Sequence, residues 1–197
     1  MKKLNKYTTL PILLYYLTEN KVPLLDPENW EDKNDTCAIR SYMKRKCIKK
    51  LLATCFSSSS ETIHHWNTYA DEISGCCIEF NSSLVTTIIN SDLRHGPVDY
   101  LKIAQLSSVL PDKIPFSKRY PYRIEKEYRV FYEGAKKNYS LSFSLEQINK
   151  ITFSQKMPAP VFEIIKKRLK AELPSETLVT HSTIISNPLW IDKIAVC

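Results

Sequence analysis

The chain has 197 residues, and its 28 Lys and Arg against 21 Asp and Glu give a formal net charge of +7. Hydrophobic residues make up 43% and charged residues 25%, proportions that exclude a mainly disordered chain. Its three glycines, Gly75, Gly96 and Gly134, lie far apart. A phosphate-binding P-loop and the Rossmann dinucleotide fingerprint each need several glycines close together. Both are therefore excluded, and any nucleotide must be held in another way.

The cysteines and apolar runs predict a cytoplasmic protein. The six cysteines form no C-x-x-C pair, and their spacing fits neither a zinc site nor a disulfide framework. We therefore predict free thiols in a reducing compartment and no bound metal. The apolar run from Leu10 to Leu17 lacks the small-residue cleavage site of a signal peptide. No apolar run approaches the roughly 20 residues that span a bilayer, which predicts no membrane partner.

The first half of the chain mixes helical and extended patterns. Apolar residues at helical spacing begin it, and the sequence Ser58-x-x-Glu61 has the pattern of a capping box, which predicts that a helix starts there. Hydrophobic spacing and turn residues predict these elements: a helix over 9–20, a polar loop over 26–35, a basic helix over 38–52, a strand over 53–56, a helix from 58 to about 71, a strand over 76–80, a helix over 84–89 and a strand over 98–100.

The second half adds more of both types. The predicted elements are an irregular stretch over 110–123, a strand over 124–132, a short helix capped by Ser144-x-x-Gln147, a strand over 151–153, a helix from Pro160 to about 173, and extended segments over 177–185 and 189–196. Helices and strands do not alternate regularly, so we predict a single α+β domain over 1–197. Its expected architecture is a mixed or split antiparallel sheet flanked by helices.

The predicted strand over 124–132 has the most chemical content. Alternate side chains of a strand share a face, so Glu125, Glu127 and Arg129 are expected to stand in a row, about 7 Å between neighbours. Two carboxylates beside a guanidinium can differ in pKa, and one can bind a hydroxyl or act as a base. The alternative is an exposed strand face with an ion pair of little energetic value.

Basic residues concentrate in three stretches, 40–50, 118–123 and 166–170. In the second stretch they interleave with tyrosines, a pattern typical of sites for nucleotides or single-stranded nucleic acid. We therefore predict nucleic acid as a partner through these patches. The alternatives are a solvated loop for 118–123 and helices with lysines on their wet sides for the other two.

A helix with two aromatic residues precedes the middle of the chain. Trp66 and Tyr69 are three residues apart, so they share one side of the helix and can stack on a base or a nicotinamide. The alternative is that both belong to the core. His64 and His65 point in different directions round the helix, which disfavours a two-histidine metal site.

Several short motifs in chain order resemble those of a widespread bacterial family that is classified as a domain of unknown function. The family has a P-x-x-[FW]-x-D loop, W-x-x-Y-[AS] and a terminal K-R-x-x-[FY]-x-x-E-x-E-[YW]-R. The matching segments here are Lys6-Tyr7-Thr8, Pro27 to Asp32, Cys55-Phe56-Ser57, Trp66 to Ala70, Gly75 to Ile78, Val98-Asp99-Tyr100 and Lys118 to Arg129. The resemblance covers about 6–172, which leaves predicted C-terminal strands over 175–197.

The layout of these segments is also similar to that of small ADP-ribosyltransferases, including toxins that modify nucleic acid. Those proteins hold NAD in a split sheet without a glycine-rich loop and carry a catalytic glutamate on a late strand, often as E-x-E. In this chain Lys6 stands where the family usually has histidine or arginine. The resemblance implies two catalytic glutamates, Glu127 and Glu125, and these NAD-binding residues: Lys6, Tyr7, Thr8, Ser57, Trp66, Tyr69, Arg119 and Arg129.

Together these patterns favour an NAD-consuming transferase of the bacterial cytoplasm that modifies nucleic acid or protein as a toxin or anti-phage effector. An antitoxin or another protein is a candidate partner. One alternative is a non-enzymatic module that binds a nucleotide or nucleic acid through the same basic and aromatic residues. Another is a nuclease, for which Asp32, Asn34 and Asp35 are the candidate metal ligands.

Overall fold

A computed structural model describes residues 3–70 and 73–195. These residues form six α-helices: α1 (Leu10–Glu19), α2 (Lys33–Lys46), α3 (Ile63–Tyr69), α4 (Ser82–Ile89), α5 (Ala159–Lys170) and α6 (Pro188–Ala195). They also form eleven strands: β1 (Lys3–Thr9), β2 (Lys21–Leu24), β3 (Lys50–Ser57), β4 (Gly75–Asn81), β5 (Arg94–Pro97), β6 (Asp99–Leu101), β7 (Ser117–Arg119), β8 (Glu127–Gly134), β9 (Tyr139–Ser142), β10 (Ile148–Phe153) and β11 (Leu178–His181).

A seven-stranded sheet in the order β11-β10-β4-β1-β3-β8-β5 organises the chain. Its neighbours are antiparallel except β10 and β11, which run parallel. Two small sheets, β2-β9 and β6-β7, lie beside it. The α+β class with a mixed sheet flanked by helices is therefore confirmed.

The sheet is split between two of its central strands. β1 pairs with β4 along its whole length, from Lys3 opposite Asn81 to Thr9 opposite Gly75. On its other edge β1 pairs with β3 at a single position, Asn5 opposite Ser57. The two strands then diverge, and this opening creates the site described below.

The two faces of the sheet are covered differently. On one face α1, α4 and α5 insert apolar side chains such as Leu13, Ile88 and Phe162 into the main core. On the other face α2 packs Ile39 and Tyr42 against β3 and β8 in a smaller cluster. Trp66 of α3 and Ala70, the residue that caps its end, cover the β1 and β4 side of that second face. α2 and α3 therefore flank the split.

Several predicted elements are confirmed, and local signals explain them. α1, β4, α4 and β10 lie where their hydrophobic patterns place them. Ser144 and Gln147 form the expected reciprocal capping box, although the segment it opens is a 3-10 turn. α5 begins at Ala159 with Pro160 in its first turn, where a missing N–H costs nothing.

The predicted bounds of the basic helix are wrong at both ends. α2 begins at Lys33 because the Asp32 carboxylate accepts a hydrogen bond from the backbone N–H of Asn34. It ends at Lys46 because Cys47 adopts a left-handed conformation with φ of 54°. The polar loop is correspondingly shorter than predicted, and β3 begins at Lys50.

Two other predicted element starts are wrong, and one segment has a different type of secondary structure from the one predicted. Ser58 does not open the third helix, because its hydroxyl donates to the carbonyl of Lys126, and Thr62 caps the helix instead. β8 begins at Glu127 and not at 124, because Lys126 is left-handed with φ of 42° and ends a 3-10 turn. The segment predicted as extended over 189–196 contains α6, which begins as the Asn187 side chain accepts from the Trp190 N–H.

Among the described helices, none is both long enough and apolar enough to cross a membrane.

Candidate active site

A cleft of about 600 Å³ lies at the split between β1 and β3. A volume of this order accommodates a small molecule of nucleotide size. Aromatic side chains from separate parts of the chain contribute much of its lining: Tyr7, Trp30, Phe56, Tyr69 and Tyr122. Carboxylates contribute the rest of its chemical character: Glu31, Asp32, Asp35, Glu125 and Glu127.

Lys118 binds three of these carboxylates inside the cleft. Its Nζ lies 2.7 Å from Glu125 Oε2, 3.5 Å from Glu127 Oε2 and 3.6 Å from Asp35 Oδ2. Its side chain is 7% exposed, and the ring of Tyr122 covers the ammonium with its centroid 4.7 Å away. Burial disfavours the charge, but Glu127 and Glu125 outweigh it and raise the pKa of Lys118 above its usual value. Lys118 therefore stays protonated and holds the carboxylates together.

Arg129 binds two of the same carboxylates, those of Glu127 and Asp35. Its guanidinium donates from Nε to Glu127 Oε1 at 3.0 Å and from Nη2 to Glu127 Oε2 at 2.9 Å. Nη2 also donates to Asp35 Oδ2 at 2.6 Å, and Nη1 donates to the carbonyl of Pro115 at 3.0 Å. The side chain is 1% exposed. Arg129 thus fixes Glu127 in one orientation and ties β8 to α2 through Asp35.

These five residues form a buried cluster of three carboxylates, Asp35, Glu125 and Glu127, and two cations, Lys118 and Arg129. Burial opposes the charge of Glu127, but Arg129 and Lys118 outweigh it and lower its pKa to about 2. At Asp35 burial outweighs the same two cations and raises the pKa. Glu127 is therefore the carboxylate that is held ionised.

The stability of the folded chain is expected to fall between about pH 4.5 and pH 2 through Glu127. Its pKa drops from 4.5 to about 2 on folding, so it contributes about 3 kcal/mol above pH 4.5, and this contribution is lost as the pH falls. Asp35 has the opposite sign, because a raised carboxyl pKa gives stability only at low pH. Urea unfolding of the wild type and of Glu127→Gln at several pH values isolates the Glu127 effect. Parallel pH profiles for the two proteins contradict it.

Glu125 is held by a second set of neighbours. Its Oε1 accepts from the Tyr69 hydroxyl at 2.7 Å and lies 3.3 Å from His64 Nε2. Its backbone carbonyl accepts from the Ser57 hydroxyl at 2.7 Å and lies 3.1 Å from His65 Nε2. These contacts position Glu125 even though it precedes β8. The two glutamates therefore occupy different surroundings, with Glu127 ion-paired to Arg129 and Glu125 bound to hydroxyl and imidazole groups.

Stacked rings form one wall of the cleft. The rings of Tyr7 and His65 stack with centroids 4.8 Å apart, and Trp66 meets Tyr7 edge-on at 5.5 Å. Elsewhere in the lining, the Arg129 guanidinium lies over the Trp30 ring, 5.0 Å from its centroid. Tyr7 and Trp30 both line the cleft, so a flat heteroaromatic ligand bound there has aromatic neighbours.

The structure brings together half of the residues that the sequence analysis assigned to the site. Those that line the cleft are Glu125, Glu127, Tyr7, Ser57 and Tyr69. Those that do not line it are Lys6, Thr8, Trp66, Arg119 and Arg129. The first set shows that the E-x-E segment, the β3 end and the aromatic helix converge. The expectation that the E-x-E strand face is merely exposed is wrong, because Glu125, Glu127 and Arg129 are all buried.

The residues outside the cleft have structural partners of their own. Lys6 projects to the other face of β1 and donates to the Thr54 hydroxyl at 3.0 Å and the Cys55 carbonyl at 2.9 Å, bridging the split from behind. Trp66 is buried against Tyr7 and donates its indole N–H to Glu61. Both therefore support the site and do not face it.

Lys118, Asp35, Trp30 and His64 line the cleft but were not assigned to an NAD site from the sequence. Lys118 was visible only as one of several basic residues in a row. Asp35 lies 94 residues before its partner Arg129, so no local pattern links the two. In the sequence, His64 raises only the question of a metal site shared with His65. The residue types are visible in the sequence, but tertiary packing decides which of them line the cleft.

The acidic loop does not assemble a metal site. Asp32 Oδ1 accepts two hydrogen bonds from Asn34, and Asp35 is paired with Arg129. Within residues 3–70 and 73–195, no group of three or more His, Cys, Asp or Glu side chains is arranged to hold a metal ion.

The basic stretches lie in different environments. Arg119 and Arg123 are exposed, and Arg123 covers the ring of Tyr120 at 4.5 Å, next to Tyr122 at the cleft. α2 presents exposed cations near its end, of which Lys46 pairs with Asp112. On α5, Lys170 donates to backbone carbonyls of the loop that follows, including that of Thr177. Only the 118–123 stretch adjoins the cleft directly.

The chain was compared with protein families, curated proteins and solved structures. No family model matches the chain, and no curated protein matches it. Among solved structures the chain is similar to Thermus sp. 2.9 DarT in complex with ADP-ribosylated ssDNA, with a TM-score of 0.46 and 11% identity over 90% of this chain and 93% of that chain. Similarity at this level establishes neither a shared fold family nor a shared activity. The resemblance to the uncharacterised bacterial family stays a prediction.

Proposed function

We propose that the protein is an NAD-dependent ADP-ribosyltransferase. The observation that carries the proposal is the buried cluster, which sets an ionised Glu127 beside an aromatic cleft of nucleotide size. Breaking the bond between nicotinamide and ribose builds positive charge on the sugar. A fixed anion next to that sugar stabilises the charge as it develops, and needs no rearrangement to do so.

The arrangement supports distinct roles for the residues around the cleft. Arg129 holds Glu127 in place. Glu127 accepts a hydrogen bond from a ribose hydroxyl and stabilises the positive charge that develops on the sugar. Tyr7 and Trp30 stack on the nicotinamide ring. No glycine-rich loop is needed, because the opening between β1 and β3 provides the space for the ligand. Arg129 positions Glu127 and does not bind the pyrophosphate, since its donors are occupied by protein groups.

We include the basic and aromatic strip beside the cleft in the proposal, as the contact for a nucleic-acid acceptor. Arg123 and Lys102 both lie over the exposed ring of Tyr120, at 4.5 Å and 5.5 Å, and Arg119 is exposed nearby. Cations and an aromatic ring at a surface are the elements that bind single strands. In a bacterial cytoplasm such an activity suits a toxin or an anti-phage effector.

A second candidate function uses the same strip without catalysis. A module that only binds a nucleotide or nucleic acid needs the exposed cations and Tyr120 but not the ionised glutamate. It predicts binding that weakens steeply as salt rises, with no product formed from NAD.

The test of the proposal is incubation of the pure protein with NAD and measurement of free nicotinamide, alongside the melting temperature with and without NAD. We expect nicotinamide release and a raised melting temperature, because a ligand that binds only the folded state stabilises it. A protein heated beyond its unfolding transition and returned to the assay temperature is the blank. Neither release nor a shift at millimolar NAD contradicts the proposal and favours the binding module.

A further inference from the structure

His64 is a cleft residue with the contacts of a general base. It lies on α3 with its side chain 34% exposed, and its Nε2 is 3.3 Å from Glu125 Oε1. The Glu125 side chain is only 3% exposed and is held by two further donors, Tyr69 at 2.7 Å and Lys118 at 2.7 Å. A buried, immobilised carboxylate thus orients a partly exposed imidazole.

This contact decides which imidazole nitrogen is free. A carboxylate accepts hydrogen bonds, so Nε2 of the neutral ring carries the hydrogen and Nδ1 carries the lone pair. Within residues 3–70 and 73–195, no hydrogen-bond partner contacts His64 Nδ1. His65 differs: its Nδ1 lies 2.6 Å from the Thr62 hydroxyl and its Nε2 lies 3.1 Å from the Glu125 carbonyl. His65 is buried and has a structural role, whereas His64 keeps a basic nitrogen available.

We propose that His64 is the general base that deprotonates the acceptor, which extends and rests on the transferase function proposed above. The acceptor class is then a nucleophile whose attacking oxygen or nitrogen carries a proton. The bond from ribose C1′ to nicotinamide breaks, and its electron pair stays on the nicotinamide nitrogen, which leaves as neutral nicotinamide. The acceptor atom bonds to C1′, and its proton passes to His64 Nδ1.

The surroundings favour the imidazolium that this step produces. Glu125 Oε1 faces it, and Lys118 lies on the far side of that carboxyl group, bonded to the other oxygen. Among residues 3–70 and 73–195, Tyr69 and His65 are further titratable neighbours of its ring, with ring centroids 6.2 Å and 5.9 Å from that of His64. Burial lowers the pKa of His65 and burial together with Glu125 raises the pKa of Tyr69, so both are neutral. The division of work is then Glu127 toward the sugar and His64 toward the acceptor.

The test follows transfer to methanol, a small hydroxyl acceptor, through formation of methyl ADP-ribose from NAD. We expect His64→Gly to lower the turnover number about 10²-fold, the lower range for loss of a general base, with little change in KM for NAD. Added imidazole is expected to restore part of the rate.

His95→Gln is the matched control, because His95 lies on β5 outside the cleft, bonded to the Tyr128 hydroxyl. It is expected to keep wild-type turnover. A His64→Gly protein with wild-type turnover, or with lost turnover and no response to imidazole, overturns the role of His64 while NAD cleavage stands. A wild type that releases no nicotinamide at all overturns the transferase proposal itself, so the two failures are distinguishable.

Discussion

Replacing Arg129 by methionine is expected to lower the free energy of unfolding by about 3–5 kcal/mol, the cost of breaking a buried ion pair from one side. The guanidinium is 1% exposed and holds both Glu127 and Asp35. Without it, the three buried carboxylates of the cluster share one of its two cations, Lys118. Because domains of this size are stable by about 5–15 kcal/mol, urea unfolding at pH 7 resolves a loss of this size.

Two comparison variants separate charge from packing. Arg40→Met removes an exposed ion pair with Glu28, in which the arginine side chain is 63% exposed, and is expected to cost less than about 1 kcal/mol. The triple variant Arg129→Met, Glu127→Gln, Asp35→Asn neutralises the stranded carboxylates and is expected to recover at least half of the loss. An Arg129→Met protein within 1 kcal/mol of wild type shows that the cluster does not stabilise the fold.

The alternation over 124–132 predicted part of this cluster correctly. Period-2 spacing places Glu127 and Arg129 on one face, and β8 confirms it, with Tyr128 and Val130 in the opposite core. Glu125 lies in the same buried cluster but not on the strand. It belongs to a 3-10 turn that ends at Lys126, which has a left-handed conformation. The prediction that Glu125, Glu127 and Arg129 lie together is therefore correct, but the prediction that one strand carries all three is wrong.

The burial of that face depended on residues far away in the chain. α2 covers it by packing Ile39 and Tyr42 onto β3 and β8 and by presenting Asp35 to Arg129. Sequence spacing cannot show that a basic helix, polar on most of its surface, lies on a strand that begins some 80 residues after it. The same holds for the split, which depends on β1 and β3 sharing only the Asn5–Ser57 pair.

Local sequence patterns were sufficient to predict a helix start where the contact that decides it joins residues close together in the sequence. The Ser144 capping box and the Pro160 helix start were predicted because each needs only neighbours within one turn. Ser58 shows the limit of that reasoning. It has the right spacing to Glu61, yet its hydroxyl bonds to Lys126, 68 residues away, and a tertiary contact replaces the cap.

Glu127→Gln is expected to reduce nicotinamide release by about 10²–10³-fold, the range found when one group that stabilises the transition state is removed. The glutamine keeps the shape of the side chain and still offers an oxygen to Arg129, but it removes the negative charge that faces the ribose. Initial rates at saturating NAD measure the effect. Because the variant also loses an ion pair, its melting temperature is recorded so that rates are compared only below unfolding.

Glu79→Gln is the control for a glutamate outside the cleft, since Glu79 lies on β4 and pairs with Lys3, and it is expected to keep wild-type rates. Glu125→Gln is the informative partner. If Glu125 acts through His64, nicotinamide release falls less than in Glu127→Gln, while transfer to methanol falls as it does in His64→Gly. Equal losses in both reactions for both glutamates assign the two carboxylates a single electrostatic role. A folded Glu127→Gln protein with wild-type release shows instead that the ionised carboxylate serves the fold alone, and that its pairing with Arg129 is structural.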